Sequence, residues 1–303
     1  MVRTPAAGLG DVFLPLPGGC AYNTSIAIGR LKTPAAFIGR LSTSFFGEMQ
    51  LKRLRENNVK DNLLIRCGEN SILAFINVEE GREPQYAFYD EGTADRLLAP
   101  QDIPPLPDYA SCIVFGSISM TMEPIASTIE NLILREAERK VIVFDPNIRP
   151  LMIKDRQAYL QRFKIWAGAS TIVKISLEDF EYITPNPQPK EALVKLIEAG
   201  ARLAILTLGA QGAAAMLRRD DESVTEVSVP GILVPKIVDT VGAGDTFQGA
   251  LLSWLYQRDK LSHNAIAGLS RDDLYSALLF ANKAASIVCS RRGAEPPTRE
   301  ELE

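Results

Sequence analysis

Four short runs are apolar at almost every position: residues 111–115 (SCIVF), 141–144 (VIVF), 171–175 (TIVKI) and 203–208 (LAILTL). Unbroken apolarity over so few residues predicts strands buried on both faces, as in a parallel sheet. Helix-period segments precede three of them, at 123–139, 155–167 and 190–199. Repeated helix-to-strand crossovers predict a three-layer α/β/α fold, with a doubly wound, mainly parallel sheet between two layers of helices. Ligands in such sheets gather at the carboxyl ends of the strands. Candidate chemistry follows each run there: Gly116-Ser117-Ile118-Ser119, residues 145–149, residues 176–181 and residues 209–212.

Two regions break the alternation. Residues 71–78 (SILAFINV) and 85–89 (QYAFY) flank a polar stretch at 79–83 and carry the β-branched and aromatic residues of a hairpin. Residues 8–17, with Val12, Phe13 and Leu14 in succession, offer a further strand. These segments predict either a small separate sheet or an excursion from the core sheet. Pro104, Pro105 and Pro107, and Pro185, Pro187 and Pro189, mark exposed loops. With no internal repeat, low-complexity tract or linker, residues 1–303 read as a single domain.

Composition narrows the partners. A chain of 303 residues that is 46% hydrophobic can bury a deep core. Its net charge of −4 argues against a nucleic-acid surface or an anionic membrane, either of which asks for a basic face; a small metabolite fits better. Cys20, Cys67, Cys112 and Cys289 lie far apart with no Cys-x-x-Cys pair, which reads as buried free thiols rather than a zinc site or disulfide framework. His263 is the only histidine and lies in a polar stretch that reads as a loop or helix end, so histidine triads and multi-histidine metal sites are excluded. No run approaches the roughly 18 apolar residues of a membrane span and no signal-peptide pattern opens the chain. A cytoplasmic protein is expected.

The most informative stretch is residues 238–249, VDTVGAGDTFQG, which runs into the apolar helix pattern of Ala250, Leu251, Leu252, Trp254 and Leu255. Gly242 and Gly244 let backbone amides converge at a helix start, where unpaired N–H groups and the positive end of the dipole favour an anion such as a phosphoryl group. Asp245 at the same helix start is poised to take a proton from a hydroxyl attacking that group. The combination describes a kinase acting on an alcohol. For an isolated turn, a helix N-cap would be the plainer reading of Asp245.

The string Asp239-Thr240-x-Gly242-Ala243-Gly244-Asp245 followed by Phe247-x-Gly249 resembles the C-terminal signature of the ribokinase-like (PfkB) carbohydrate kinases. Gly18-Gly19-Cys20-Ala21-Tyr22-Asn23 with Phe37-Ile38-Gly39-Arg40 and Phe46-Gly47 is similar to the family's upstream signature in order and spacing, so the likeness spans nearly the whole chain. Residues 144–150 (FDPNIRP) and 88–95 (FYDEGTAD) look like fructokinase-type members.

The resemblance implies roles residue by residue. Asp245 becomes the catalytic base, and the amides of Gly242, Ala243 and Gly244 with its own become the anion hole. Gly18, Gly19, Asn23, Asn147 and Arg149 become sugar-binding, with Phe88 or Tyr89 covering an apolar sugar face from a β-sheet lid near 8–17 and 71–92, a lid often also used for dimerisation. Arg149 could equally neutralise phosphate charge or serve a structural ion pair. Lys174, Thr207, Gly209, Gly212 and Asn282 fall on the ATP side, although Asn282 could as well be an exposed helix residue. Mg²⁺ needs only one or two protein carboxylates. At the family's Asn-x-x-Glu this chain has Ser176 and Asp179, so Asp179 reads as the carboxylate, with Glu178 as a substitute or an exposed helix-start acid as the alternative. Asp239 and Val241, with the main chain of Val288, Arg291 and Gly293, match a site for a monovalent cation such as K⁺.

The family also begins with a Gly-Glu-x-x-x-Asp strand that is not found before Met1. Residues 1–5 look like the continuation just past it, so a gap in the central sheet near Gly19 and Ile38 is expected, unless residues 1–14 form that strand themselves. The activity implied is transfer of the γ-phosphoryl group of ATP to a hydroxyl of a ketohexose, fructose first, by a homodimer joined through the lid. Ribose, 2-keto-3-deoxygluconate or a nucleoside are alternative acceptors, and a non-catalytic sugar-binding member is the rival class.

Overall fold

The computed structural model describes residues 1–6, 10–77 and 85–303. From the N-terminus the chain forms β1 (Val2–Ala6), β2 (Gly10–Leu14), α1 (Cys20–Arg30), the short strands β3 (Ala35–Ala36) and β4 (Gly39–Ser42), α2 (Phe45–Glu56), β5 (Val59–Lys60), β6 (Leu64–Cys67), β7 (Leu73–Asn77) and β8 (Gln85–Tyr89). It continues as β9 (Cys112–Gly116), α3 (Ile125–Glu136), β10 (Val141–Asp145), α4 (Arg156–Gly168), β11 (Ile172–Ser176), α5 (Leu177–Ile183), α6 (Pro189–Glu198), β12 (Leu203–Thr207), β13 (Ala213–Arg218), β14 (Val224–Val229), α7 (Ala243–Tyr256), α8 (His263–Ala267), α9 (Arg271–Cys289) and α10 (Arg299–Leu302).

The four apolar runs are β9 to β12, displaced by at most a residue from the ranges their sequence predicts, and they lie parallel in the order β12-β11-β10-β9, with β13 and β14 added antiparallel beyond β12. Side chains alternate between the two faces of each strand. Val141, Val143, Ile172, Leu203 and Ile205 share one core with Phe247, Leu251 and Trp254 of α7 and Leu274 and Leu278 of α9. Ile142, Phe144, Val173, Ile175 and Leu206 share the other with Phe163 and Trp166 of α4 and Leu193 and Leu196 of α6. Both faces being covered is what leaves the strands apolar throughout.

The two exceptional regions come together in a second, four-stranded sheet of order β2-β1-β7-β8. A separate sheet, rather than an excursion from the core, is therefore found; the polar stretch at 79–83 lies outside the described residues. The described residues among 1–14 do not form a central strand. They supply β1 and β2 to the second sheet, where the Met1 ammonium donates to the Ala74 carbonyl at 2.6 Å. β9 has no hydrogen-bonded neighbour on its outer edge among the described residues, and the large cleft of the molecule runs along it past Ile38.

α1 crosses α7 at very close range. A Cβ placed on Gly249 would lie 2.6 Å from the Ala27 Cβ and 3.0 Å from the Thr24 carbonyl, so only glycine fits. His263 opens α8, as its polar surroundings predict. All four cysteines are free, and each is half-buried rather than fully buried.

Candidate active site

The 238–249 string folds as a turn into α7. Gly242 caps the helix in the left-handed region, at φ 79°, and any Cβ there would meet the Ala294 Cβ at 2.5 Å. The Ala243 amide turns back to the Thr240 carbonyl at 3.2 Å, and Thr246 donates to Gly242 at 2.8 Å. The Ala243 N–H is thereby engaged within the turn. The amides of Gly244 and Asp245 have no backbone acceptor among the described residues and stand as the helix's open first-turn donors.

Asp245 is not the cap of its own helix. Its buried carboxylate receives the Asn23 amide at 2.8 Å on one oxygen and the Asn147 amide at 3.5 Å on the other. Burial is the largest influence on its acidity and pushes the carboxyl up to about 6; the Asn23 hydrogen bond works downward, the charge of Asp145 upward and that of Lys174 downward. Asn23 thus faces the base with its nitrogen, while its Oδ1 is buried without a partner. That oxygen is free to accept a hydrogen bond.

Asp145 and Lys174 lie beneath this turn. Adjacent in the β10–β11 ladder, they pair at 2.8 Å with both side chains almost fully buried. Neither Asp145 nor Cys20, whose thiol approaches Asp145 at 3.7 Å, stands out in the sequence as a site residue. The available signal was Lys174 inside one apolar run and Asp145 directly after its neighbour, charges of opposite sign that are rarely buried unless paired.

Asp179 is neither exposed nor free. It lies in the first turn of α5, where its amide is capped by the Ser176 hydroxyl at 2.9 Å, and its Oδ1 accepts the Ile148 amide at 2.9 Å. Burial first, then the like charge of Asp145, pushes its carboxyl up to about 6. Arg149 donates to the Asn147 and Ile148 carbonyls, at 3.3 and 3.0 Å. It has no ion-pair partner among the described residues, so the structural ion pair considered from sequence is not found.

On the other side of α7, the Asp239 carboxylate accepts from the Val241 amide at 3.0 Å and from the Gly293 amide at 2.9 Å, tying two loops together. The Val288 carbonyl accepts the Arg291 amide at 3.0 Å, while the Arg291 side chain pairs with Glu301. Asn282 is buried, and its amide donates to the Pro230 carbonyl at 3.1 Å, so the exposed-helix reading is corrected.

A cleft of about 2230 Å³ brings these groups to one space. It is lined by Gly18, Gly19, Asn23, Phe88, Asn147, Arg149, Lys174, Asp179, Thr207, Gly209, Gly212, Asp239, Val241, Gly242, Ala243, Gly244, Asp245, Asn282 and Gly293; of the candidate site residues singled out from sequence, Tyr89, Val288 and Arg291 do not line it. Phe88 faces the cleft, whereas Tyr89, considered with it, is 63% exposed and packs edge-on against Phe75. The second sheet therefore borders the cleft through Phe88 and through Leu73, Ala74 and Ile76 of β7. No helix among the described residues is long and apolar enough to cross a membrane.

The chain is 38% identical over 262 residues to a fructokinase of Rhizobium leguminosarum bv. trifolii, covering 86% of this chain and 78% of that protein. It is 31% identical to a probable fructokinase-3 of Arabidopsis thaliana, covering 96% and 82%. Among solved structures, a fructokinase from Xylella fastidiosa with bound ATP superposes with a TM-score of 0.88 at 24% identity, covering 100% of this chain and 93% of that one. A fructokinase from Vibrio cholerae O395 with fructose, ADP and calcium bound gives 0.81 at 25%, covering 97% and 91%. The first of these solved structures supports the ribokinase-like fold alone. The pattern of the pfkB family carbohydrate kinases matches residues 13–301, which take in the Gly18-Gly19 start of α1 as well as the turn at Asp245, and the chain belongs to that family.

Proposed function

We propose that this carbohydrate kinase transfers the γ-phosphoryl group of ATP to a hydroxyl of a ketohexose, fructose before others. The observation that carries the reading is Asp245: a buried carboxylate, oriented by two amide side chains, in the first turn of a helix whose Gly244 and Asp245 amides are open to the cleft. Asp245 removes the proton from the attacking hydroxyl. The open amides stabilise charge that builds on the transferring group, the larger part of catalysis in phosphoryl transfer. Asn23 Oδ1, Asn147 and Arg149 hold the acceptor; Gly18 and Gly19 let it approach the backbone, and Phe88 covers it. Lys174, Thr207, Gly209, Gly212 and Asn282 line the nucleotide side. Fructose is favoured by the fructokinase relatives, including the 38% identical protein of Rhizobium leguminosarum bv. trifolii.

Mg²⁺ suits the oxygen donors of Asp179, and a monovalent cation such as K⁺ suits the all-oxygen set at Asp239 with the carbonyls of Val241, Val288, Arg291 and Gly293. Bound there, the metal neutralises phosphate charge. A relative from Vibrio cholerae has been solved with fructose, ADP and potassium. Residues 1–303 act as one kinase domain in the cytoplasm, and the second sheet serves as lid and homodimer contact. The test is coupled ADP release across sugars with the purified chain, with Mg²⁺ chelated or supplied and K⁺ exchanged for a large organic cation. Fructose should give the highest kcat/KM. A preference for ribose, 2-keto-3-deoxygluconate or a nucleoside would move the acceptor and leave the kinase intact; no ADP release with any of them would favour a non-catalytic binding protein.

A further inference from the structure

Two buried charges lie behind the turn that carries Asp245. The β10–β11 register pairs Phe144 with Val173, so the next residues on each strand, Asp145 and Lys174, are neighbours. Their groups meet at 2.8 Å with side-chain exposures of 1% and 5%. On its far side the ammonium abuts the turn: a Cβ on Gly244 would lie 2.9 Å from Lys174 Nζ. Gly244 thus leaves room for a cation directly behind two open amides. The donor atoms of Cys20, Asp145 and Asp245 fall within 4.8 Å of one another, and Lys174 is the cation that meets this cluster. One oxygen of Asp145 has no hydrogen-bond partner although it is buried. A buried ion pair is a poor source of stability, because desolvation offsets its attraction. Its place against the reacting turn therefore calls for another account.

We propose that Asp145 and Lys174 are positioning residues for the phosphoryl transfer: Asp145 pins the Lys174 ammonium behind Gly244, and the two opposite charges set the electrostatic floor on which Asp245 works. The inference rests on the reading of Asp245 as the base. The groups facing Asp245 are Cys20 and Asn23 from α1, Asp145 and Asn147 from β10 and the loop after it, and Lys174 from β11. Burial pulls the Lys174 pKa down, but the charge and hydrogen bond of Asp145, together with the charges of Cys20 and Asp245, outweigh it and raise the pKa. Lys174 then favours the ionised base while Asp145 disfavours it. Removing either should move the acid limb of activity, in opposite directions.

The experiment is the pH profile of kcat/KM for the full chain and for Asp145→Asn, Lys174→Met, the double variant and Asp245→Asn, with kcat at the plateau. Lys174→Met should move the acid limb up by about one pH unit and Asp145→Asn should move it down by a similar amount, the scale expected of a charge a few ångströms away. Lys174→Met should also lose at least about tenfold in kcat, as the turn loses its backing cation. The double variant leaves no unpaired buried charge, so it folds even where a single variant does not. Its limb should return near the wild-type position while kcat stays at least about tenfold down. A double variant turning over at the wild-type rate, or single variants whose limbs stay put or move together, would overturn the proposal. Asp245→Asn separates the two ideas: if it keeps turnover and acid limb, the base assignment itself fails; if it abolishes both while the other variants leave the limb untouched, only the role of the pair fails.

Discussion

The two sheets of this molecule solve different problems. The six-stranded sheet is covered on both faces and presents chemistry only where its strands end, whereas the four-stranded sheet borders the cleft on one side and shows aromatic rings to solvent. In the first, Phe144 is fully buried and touches Phe115, Phe163 and Trp166, with ring centroids 4.8 to 5.9 Å apart. In the second, Phe75 bridges Phe13 and Tyr89 edge-on at 5.1 and 5.6 Å, yet Phe13 is 46% and Tyr89 63% exposed. The first arrangement resists movement because every ring is enclosed by close packing. The second leaves apolar surface that another surface can cover. Asp145 and Lys174 at the cleft are thus anchored in the rigid sheet, while the looser sheet borders the same cleft.

Substitutions can break this contrast. The largest effect should come from Phe144→Ala, about 3–5 kcal/mol of unfolding free energy for an aromatic truncated in a closed core, read by denaturant titration. If Phe75→Ala cost as much, the second sheet would be no looser than the first. Asp245→Asn should lower kcat at least about 10²-fold, about 2.7 kcal/mol of activation free energy, with nucleotide binding near wild type by calorimetry. Retained turnover would remove Asp245 from the mechanism.

A smaller, opposite effect on stability should accompany that loss. Asp245 and Asp179 are both pushed up to about 6 in the folded protein, above the ordinary value of 3.8. The folded state therefore holds their protons more tightly than the unfolded chain, and their contribution to stability falls as pH rises from about 4 to about 6. Asp245→Asn removes a buried charge and should raise the melting temperature at pH 7 to 8, by on the order of 1 kcal/mol of stability, an exchange of stability for activity that active sites commonly show. The wild-type kcat/KM should fall as pH drops through about 6, as the base takes up its proton. The smallest change is expected from Phe75→Ala in the second sheet: KM for the sugar up several-fold, kcat and melting temperature nearly unchanged. Loss of dimer in sedimentation would show in addition that the exposed rings form the contact between copies.

The same contrast explains what could be read from the sequence. Strands β9 to β12 lie within a residue of their predicted ranges because burial on both faces leaves an unambiguous apolar run. The turn at Gly242 to Asp245 was legible because its backbone demands small residues in a fixed order. β1 was not, because Val2–Ala6 contains Pro5, lacks an apolar stripe and, among the described residues, joins the β7 ladder at the single pair Val2 and Ile76. Contacts between distant segments were equally hidden. Nothing local in Asn23, Asp179 or Asn282 says that they turn to Asp245, to the Ile148 amide and to the Pro230 carbonyl. Lys174 was named for the ATP side, but Asp145 and its pairing with Lys174 were missed, since the register that joins them belongs to the sheet.

The crossing of α1 and α7 at Gly249 bears on how such an enzyme can diversify. Asn23 and Asp245 ride on these two helices, and their separation is fixed where Gly249 meets Ala27 rather than by any loop. The loops after the strands and the second sheet can then lengthen, shorten or change side chains to suit a different acceptor while the span between hydroxyl and base keeps its calibration. A change at Gly249 would do the reverse: it would shift α1, and Asn23 with it, against Asp245 and detune the reaction for all acceptors alike.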